Sequence, residues 1–435
     1  MLAGAADIRP GEGRAVLACG LLFFLVLAAV MVLRPVREAM GLQKGIENVR
    51  SLFLYTVGVT LLLVPGFGYL VSRVRRRVFL AVSFRGCALI LLGFYLCLMS
   101  FPEPVGRVAA QLYYVYHSVF NLLVVSIFWA FMADLFSVGE SKRLFPAIAV
   151  GGTLGAIAGS TVSWVVPRLI SRALPGRMGA ALLFLVAVVL LEAAVWAAAL
   201  VTRTRSTAAA EPSEARLIGG HALAGITLLL HSPYLLGIAS LILLSAVTST
   251  FFYFTGLRIV EAATPSVSER TMLFAEIDFW TQLGTLLAQA FLAGRIMRWL
   301  GVGTALAALP LVSAIDFGVL AAAPISTASV LTVYVVVNTT YRAVERGITG
   351  PARETLFTVL DPAEKYKAKS LLDTVGYRAG DAGGAQLERW LAGLSCGLSA
   401  PALAVLPLAL GWTALSLLLG WAQSRLAGRR PRGSA

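Results

Sequence analysis

Arginine side chains lie within long apolar stretches of this sequence, where a charge is costly to place. Arg34 and Arg37 follow an apolar run at a spacing that puts both on one face of a helix. Arg378 lies between Asp373 and Asp381 in a glycine-rich apolar stretch. A guanidinium group offers a planar fork of donors that matches the oxygens of a phosphate or a carboxylate. These arginines therefore predict a site for an anionic solute.

Other polar side chains in apolar segments are candidates for setting the selectivity of that site. A charged residue at the centre of a membrane helix costs roughly 2.5–3.5 kcal/mol to insert, so its presence indicates a function. Three carboxylates, Glu276, Asp278 and Asp381, would either select the solute or carry a coupling proton. The group comprises His117, Asn121, Glu276, Asp278, Arg342, Glu345 and Arg346.

Structural interpretations of the same residues stay open at this point. Arginines near a helix end often extend their charge to the membrane surface, which is the alternative for Arg34 and Arg37. Glu345 can form an ion pair with an arginine one turn away in its own helix. His117 is as compatible with a hydrogen-bonded packing role as with proton or substrate binding.

The composition indicates that membrane helices position these residues. Hydrophobic residues make up 58% of the chain and charged residues 13%, and the mean hydropathy is +0.82. Soluble domains carry about 25% charged residues. The net charge of +14 is explained by Lys and Arg in loops on the cytoplasmic side. We therefore expect membrane lipid as a partner and no nucleic acid.

The apolar segments predict an all-α polytopic membrane protein with twelve transmembrane helices in two pseudo-symmetric six-helix halves. The halves cover residues 1–202 and 232–424, with a cytoplasmic linker at 203–231, a basic tail at 425–435 and a central cavity between the halves. Basic loops stay inside, which places both termini in the cytoplasm. Short loops and the Ala/Arg/Gly/Leu bias are typical of a bacterial inner membrane protein.

A short charged connection, which we call an elbow, is followed by a helix of small residues at two places. The elbows are predicted at residues 134–143 and 349–369. The string Leu-Phe-Ser-Val that begins at residue 135 is nearly repeated by Leu-Phe-Thr-Val at residue 356, about half the chain away. Pro146 is predicted at the first position of the first glycine-rich helix, where a missing N–H is harmless. The repeat indicates a duplicated bundle whose elbows act as an inner gate. The candidate gate residues are Asp134, Lys142, Arg143, Arg353 and Glu354.

The sequence offers no pattern for catalysis or metal binding. Its four cysteines lack CxxC spacing, and its three histidines form no HExxH motif. No Walker loop is present, so nucleotide hydrolysis is not expected. We predict that the protein is not an enzyme, has no catalytic residue and binds neither a metal nor a cofactor.

Three motifs carry a family resemblance: Leu33–Glu38, Phe128–Pro146 and Lys365–Gly384. They resemble the ATP/ADP translocase family, the nucleotide exchangers of intracellular bacteria and plastids and their bacterial relatives. The basic turn Gly68–Arg77 is similar to the G-x-x-x-D-R-x-G-R-R loop of major facilitator transporters, with Ser72 in place of the usual Asp.

The resemblance implies a major-facilitator-like transporter that works by alternating access and exchanges one nucleotide for another. It implies that the solute is a small anion held by its phosphates. The residues to which it assigns phosphate binding are Arg34, Arg37, Lys369 and Arg378.

The sequence departs from the family pattern at three positions. Phe53, His117 and Asp381 stand where the translocases carry Lys, Glu and Lys. Asp381 lowers the positive charge of the predicted site. Two alternatives therefore remain beside nucleotide exchange. One is a proton-coupled carrier or exporter of another amphipathic or phosphorylated solute, and the other is a lipid-handling or non-transporting membrane protein on this fold.

Overall fold

A computed structural model shows helices joined by short turns, with no strand in the residues that it describes. Eight of the described helices are long and apolar enough to cross a membrane, which establishes a multi-pass membrane architecture. The residues described are 9, 12–73, 76–101, 103–136, 138–170, 178–204, 228–229, 231–264, 266–322, 327–360, 368–369, 371–372, 376–393 and 399–429.

The first of two packing units comprises residues 1–215 and 264–282. Its core is made of apolar side chains, among them Phe23 and Phe128, whose rings stack with centroids 4.2 Å apart. Its first six helices are α1 (Gly13–Gly41), α2 (Ile46–Arg73), α3 (Arg76–Ser100), α4 (Glu103–Leu135), α5 (Val138–Ile170) and α6 (Met178–Thr204).

The second unit comprises residues 216–263 and 283–435. Most of the helix Val267–Leu287 therefore belongs to the first unit. The predicted linker at 203–231 falls largely outside the described residues. The remaining helices are α7 (Pro233–Ala263), α8 (Val267–Leu287), α9 (Gly294–Trp299), α10 (Gly301–Ala322), α11 (Thr327–Val344), α12 (Gly350–Leu356), α13 (Tyr377–Gly393) and α14 (Ser399–Arg429). Two π-helical turns, Ala288–Ala293 and Glu345–Thr349, connect α8 to α9 and α11 to α12.

Helices α1 and α5 pack along a stripe of glycines. Gly151, Gly155 and Gly159 lie one turn apart on the face of α5 that meets α1. A Cβ atom on Gly155 would lie 2.1 Å from the carbonyl oxygen of Phe24, and one on Gly151 would lie 2.3 Å from that of Gly20. Only glycine permits backbones to approach this closely, which is the usual basis of helix association in lipid.

The second unit repeats this contact between α13 and α7. A Cβ atom on Gly380 would lie 2.6 Å from that of Ala246, and one on Gly384 would lie 3.0 Å from the Cα of Val247. Other pairings also correspond. In the first unit α4 and α6 each pack on α1 and on α3, and in the second unit α11 and α14 each pack on α7 and on α10.

The prediction that Pro146 begins a helix is wrong. Helix α5 begins at Val138, and Pro146 lies inside it. A proline in a helix interior removes the bond to the carbonyl four residues earlier. Membrane helices tolerate such breaks because neighbouring helices and side chains satisfy the freed groups. The elbow after α4 is therefore shorter than its charge pattern predicts.

The second elbow also begins later than predicted. The chain is helical without interruption from α11 through the π-helical turn and α12 to Val359. Pro351 lies in the first turn of α12, where its missing N–H is compatible with helix. Thr349 is consequently helical, and residues 361–367 lie outside the described part of the chain.

Candidate functional site

Helix α1 is fixed around Pro35 by side chains of its neighbours. Proline lacks an N–H and so removes one helical hydrogen bond from α1 at this depth. Three donors on α4 and α5 bind carbonyl oxygens in the preceding turn, which stiffens the segment that carries the candidate arginines. The bonds run from Tyr113 to Leu33 at 3.0 Å, from Ser163 to Val32 at 2.6 Å and from His117 to Val30 at 3.3 Å.

His117 is buried and makes the bond that a packing role requires. Its exposed fraction is 3%, and because a carbonyl oxygen only accepts, the Nε2 atom must carry the proton that it shares with Val30. Its neighbour one turn later, Asn121, is exposed. A substrate role for either residue stays a prediction.

Arg34 forms an ion pair with Asp278 of α8, at 2.7 Å between Nη1 and Oδ1. The exposed fraction is 23% for the Arg34 side chain and 8% for that of Asp278. The pair brings together two opposite charges that would each be costly to bury alone.

Arg37 is held by several contacts one turn after Arg34. Its Nη1 donates to Glu38 at 2.5 Å and its Nε donates to the carbonyl oxygen of Tyr114 at 3.2 Å. The guanidinium also lies 3.9 Å above the Tyr114 ring. Because α1 continues to Gly41, both arginines lie inside the helix and not at its end.

Glu276 lies on the same turn of α8 as Asp278 and faces Arg168 of α5. The closest approach is 3.8 Å, and the Arg168 side chain is 53% exposed. The guanidinium of Arg168 also lies 4.9 Å from the Trp164 ring. A pair that is this long and partly exposed contributes little to stability.

The second unit contains a polar cavity of about 320 Å³ that we call the arginine cavity. Its basic groups come from the continuous helical run of α11, the π-helical turn and α12. Short π-helical turns occur frequently at functional sites. The lining residues are Leu241, Ser245, Ser249, Leu309, Arg342, Glu345, Arg346, Thr349, Gly350, Arg353 and Tyr377.

Glu345 is not the ion-pair partner of a neighbouring arginine. It forms no ion pair with any residue that the structure describes. Arg342 instead donates from Nε to the side-chain oxygen of the buried Asn338 at 3.2 Å. The carboxylate of Glu345 lines the cavity and contributes its charge to it.

Arg353, predicted as a gate residue, lines this cavity. Its guanidinium donates to the hydroxyl of Tyr377 and lies 3.5 Å from the carboxylate of Glu354. Lys369, predicted as a phosphate ligand, also forms an ion pair with Glu354. The structure thus brings the predicted gate pair and Lys369 together at the end of α12.

Arg378 and Asp381 lie one turn apart on α13, with 3.7 Å between the closest nitrogen and oxygen atoms. Asp373, which the sequence places on the same face, lies outside the described residues. Glu388 on the same helix is 1% exposed and pairs with Arg258 of α7. Helix α13 thus contributes to two ion pairs: the partly exposed pair of Arg378 with Asp381 and the more buried pair of Glu388 with Arg258.

Arg143, predicted in the first elbow, lies in the first turns of α5 and binds Glu12, the residue that precedes α1. It donates to both carboxylate oxygens of Glu12, at 3.0 Å and 3.3 Å. This hydrogen bond, followed by that from the backbone N–H of Arg9, lowers the pKa of Glu12 below its usual value. Asp134 is exposed, and the Lys142 side chain lies outside the described part of the structure.

Two features of the second unit were not predicted from the sequence: the common helix face of three arginines and the burial of Asp316. Arg342, Arg346 and Arg353 share one face of a helix by spacing, but the predicted elbow at Thr349 separated them. Asp316 lies in the apolar helix α10, where any charged residue is a functional signal. It is 6% exposed, and no described residue bonds its Oδ2 atom.

Comparison with known proteins identifies the family. The model of the TLC ATP/ADP transporter family matches residues 50–412. The chain belongs to this family. A TLC family member is a transporter and not an enzyme, as the sequence predicts. The arginines of α1 and of the arginine cavity are thus side chains of a membrane transporter.

Two curated relatives are similar over part of their length. ADP,ATP carrier protein 1 of Chlamydia trachomatis is 24% identical over 341 residues, which cover 71% of this chain and 63% of the relative. ADP,ATP carrier protein 1 of Chlamydia muridarum is 25% identical over 311 residues, covering 64% of this chain and 58% of the relative. The match therefore spans about six tenths of the length of these relatives.

Solved transporters share the fold of this TLC family member. A mutant of the nucleoside transporter NupG superposes with a TM-score of 0.60 at 12% identity, covering 95% of this chain and 99% of that one. The POT family transporter PepTSo gives a TM-score of 0.58 at 13% identity, covering 95% and 98%. These neighbours are of the major facilitator type, which agrees with the prediction of an all-helical, major-facilitator-like fold.

Proposed function

We propose that this protein moves a nucleotide or a similar phosphorylated anion across the membrane by alternating access, as an exchanger. The observation that carries the proposal is the arginine pair of α1, Arg34 and Arg37, fixed by Asp278 and Tyr114 in a chain of the TLC ATP/ADP transporter family. The relatives it resembles are named ADP,ATP carriers. A guanidinium held in place binds phosphate oxygens with little loss of side-chain entropy.

The proposed architecture has twelve membrane helices in two six-helix halves. Its support is the correspondence of helix pairings between the units, with α1, α3, α4, α5 and α6 matching α7, α10, α11, α13 and α14. The glycine contacts of α5 on α1 and of α13 on α7 are part of the same correspondence. Inverted or parallel repeats of this kind underlie the rocking motion of secondary transporters.

In the proposed cycle a substrate phosphate competes with Asp278 for Arg34. The carboxylate neutralises Arg34 when no substrate is bound, because an unpaired charge at this depth is costly. Exchange requires in addition that the carrier does not reorient while Asp278 is paired with Arg34, so that Arg34 changes sides only with a phosphate bound. Lys369 and Arg378 bind further phosphate oxygens, and Glu276 and Asp381 limit the total positive charge.

The proposed inner gate uses the carboxylate–base pairs of the elbows. The pairs of Arg143 with Glu12 and of Glu354 with Arg353 and Lys369 have the chemistry that such a gate requires. Ion pairs near water exchange partners at small cost, so they can break when the gate opens. We place the protein in a bacterial inner membrane with both termini in the cytoplasm.

Thermal stabilisation of the purified protein tests the nucleotide assignment. A ligand that binds only the folded state raises the unfolding temperature by mass action. We expect ADP and ATP to raise it and adenosine to do so less, because the proposed ligands bind phosphate. An unfolding temperature raised by sugar phosphates or lysophospholipids but not by nucleotides would contradict the nucleotide assignment.

Proton-coupled transport is the second candidate function, and Asp316 favours it. A carboxyl group that is buried in a membrane helix, with no described partner for one oxygen, is suited to hold a proton. The two functions differ in their driving force. Uptake driven by a pH gradient into vesicles without internal nucleotide, and lost in Asp316→Asn, would establish coupling and exclude obligate exchange.

A further inference from the structure

The arginine cavity carries a net positive charge, of which the proposed cycle uses only that of Arg353, as a gate residue. Arg342, Arg346 and Arg353 line it together with one carboxylate, that of Glu345. Glu345 forms no ion pair with a described residue, so it is not held as a structural partner of one arginine. Three guanidinium groups around one small polar cavity form an environment that attracts anions.

We propose that the arginine cavity binds the terminal phosphoryl groups of the transported solute. This inference rests on the proposed function, because it names a further place where the same substrate is held. A phosphoryl group is the preferred ligand because its oxygens accept from several guanidinium forks at once. The volume of about 320 Å³ lies at the lower end of the range for small-molecule sites, roughly 300–1,000 Å³.

Two of the three arginines are oriented before a ligand arrives. Arg342 donates from Nε to Asn338, whose exposed fraction is 2%. Arg353 donates to the hydroxyl of Tyr377, and its guanidinium lies 5.2 Å from the centre of that ring. Preorganised donors lose less conformational entropy on binding, which raises the affinity for a ligand of matching geometry.

Arg346 is the residue to change first. It lies in the π-helical turn Glu345–Thr349, and its backbone carbonyl is held by Gln289 at 3.2 Å, so the turn has support that does not involve its side chain. Arg346→Gln removes the charge, and Arg346→Lys keeps the charge while removing the fork. Arg298→Gln is the matched control, because Arg298 is exposed in the same unit and does not line the cavity.

The experiment is calorimetric titration of the purified full-length protein with adenosine, ADP and pyrophosphate. The loss of one charge-assisted contact should weaken ADP binding about ten- to hundredfold in Arg346→Gln. Arg346→Lys should lose less, and adenosine binding should not change in either variant. Arg298→Gln should bind all three probes as the wild type does.

The outcomes separate this inference from the proposed function. If the wild type binds ADP and Arg346→Gln binds it with equal affinity, the inference is overturned and the proposed function stays intact. An equal fall in adenosine and ADP binding would also overturn it, since the loss would not involve phosphate. Pyrophosphate binding that depends on Arg346, without any binding of ADP, would support the phosphoryl site and overturn the nucleotide assignment. Competition by phosphatidic acid vesicles against pyrophosphate would identify a lipid headgroup as the ligand and overturn the assignment to a transported solute.

Discussion

Arg34 of α1 and Asp278 of α8 form an ion pair with 2.7 Å between Nη1 and Oδ1. The two residues are 244 positions apart in the chain, and both have largely buried side chains. Removal of one partner takes from the other the closest opposite charge, which is costly for a largely buried group. The Arg34 guanidinium therefore has two roles: it stabilises the packing of α1 on α8, and it is the proposed ligand of the substrate phosphate.

Arg34→Gln is predicted to lower nucleotide uptake at least about tenfold, because a charge-assisted contact to phosphate is lost. The exchanged pair Arg34→Asp with Asp278→Arg should recover the unfolding temperature but not the uptake, since the cation then lies on α8. Uptake and unfolding of purified protein are measured side by side. Full uptake in the exchanged pair would contradict a role for Arg34 in substrate binding.

Gly155→Ala is predicted to destabilise the contact between α1 and α5. The added Cβ would lie 2.1 Å from the carbonyl oxygen of Phe24, so the helices must move apart. Overpacking of this kind costs about 1–3 kcal/mol. Gly86→Ala in α3 is the control, because a Cβ there meets no atom within 4 Å. Equal unfolding temperatures for the two variants would refute a close glycine contact.

Glu388→Gln is predicted to destabilise the second unit by about 3–5 kcal/mol, the usual cost of a buried charge left without its partner. Glu388 is 1% exposed and pairs with Arg258. The matched control is Glu192→Gln, which breaks an exposed pair with Arg85 and should change stability by less than about 1 kcal/mol. Unfolding by denaturant in detergent measures both, and similar losses would contradict the burial argument.

Acid is predicted to weaken the attachment of the start of α1 to α5. Hydrogen bonding from Arg143 lowers the pKa of Glu12 from its ordinary value of 4.5. A carboxyl group with a lowered folded-state pKa stabilises the fold above its unfolded pKa, and this contribution is lost as the pH falls through the folded value. The difference in unfolding temperature between wild type and Glu12→Gln should therefore shrink below pH 4.5. A difference that stays constant with pH would contradict the pairing.

Glu345→Gln is predicted to strengthen pyrophosphate binding. The carboxylate lines the arginine cavity and forms no ion pair with a described residue, so it repels an anion that enters. Calorimetric titration at low salt measures the change, because salt screens such interactions. Weaker binding in Glu345→Gln would indicate that the carboxylate orients an arginine instead.

The sequence predicts features that depend on local spacing. The glycines of α5 lie one turn apart, which is enough to predict a close helix contact, and the arginines of α1 share a face for the same reason. Pairings between distant helices leave no such trace. Nothing in the spacing of Asp278 indicates that its partner is Arg34.

Helix ends in a membrane protein are harder to predict than helix faces. Pro146 and Pro351 both have the sequence context of a helix start, yet only Pro351 lies in a first turn. In lipid the backbone strongly favours a continuous helix, because unpaired polar groups find no water. The arginine cavity escaped prediction for this reason, since its residues were divided between a helix and an elbow that is in fact helical.

Counterflow in proteoliposomes tests nucleotide exchange most directly. Purified protein is reconstituted into vesicles that contain ATP, and entry of radiolabelled ADP is compared with entry into vesicles that contain buffer alone. We predict rapid entry only with internal ATP, and loss of that entry in Arg34→Gln but not in Arg85→Gln, whose side chain is 55% exposed. Equal entry into loaded and empty vesicles, or entry that survives Arg34→Gln, would contradict exchange at a site built on α1.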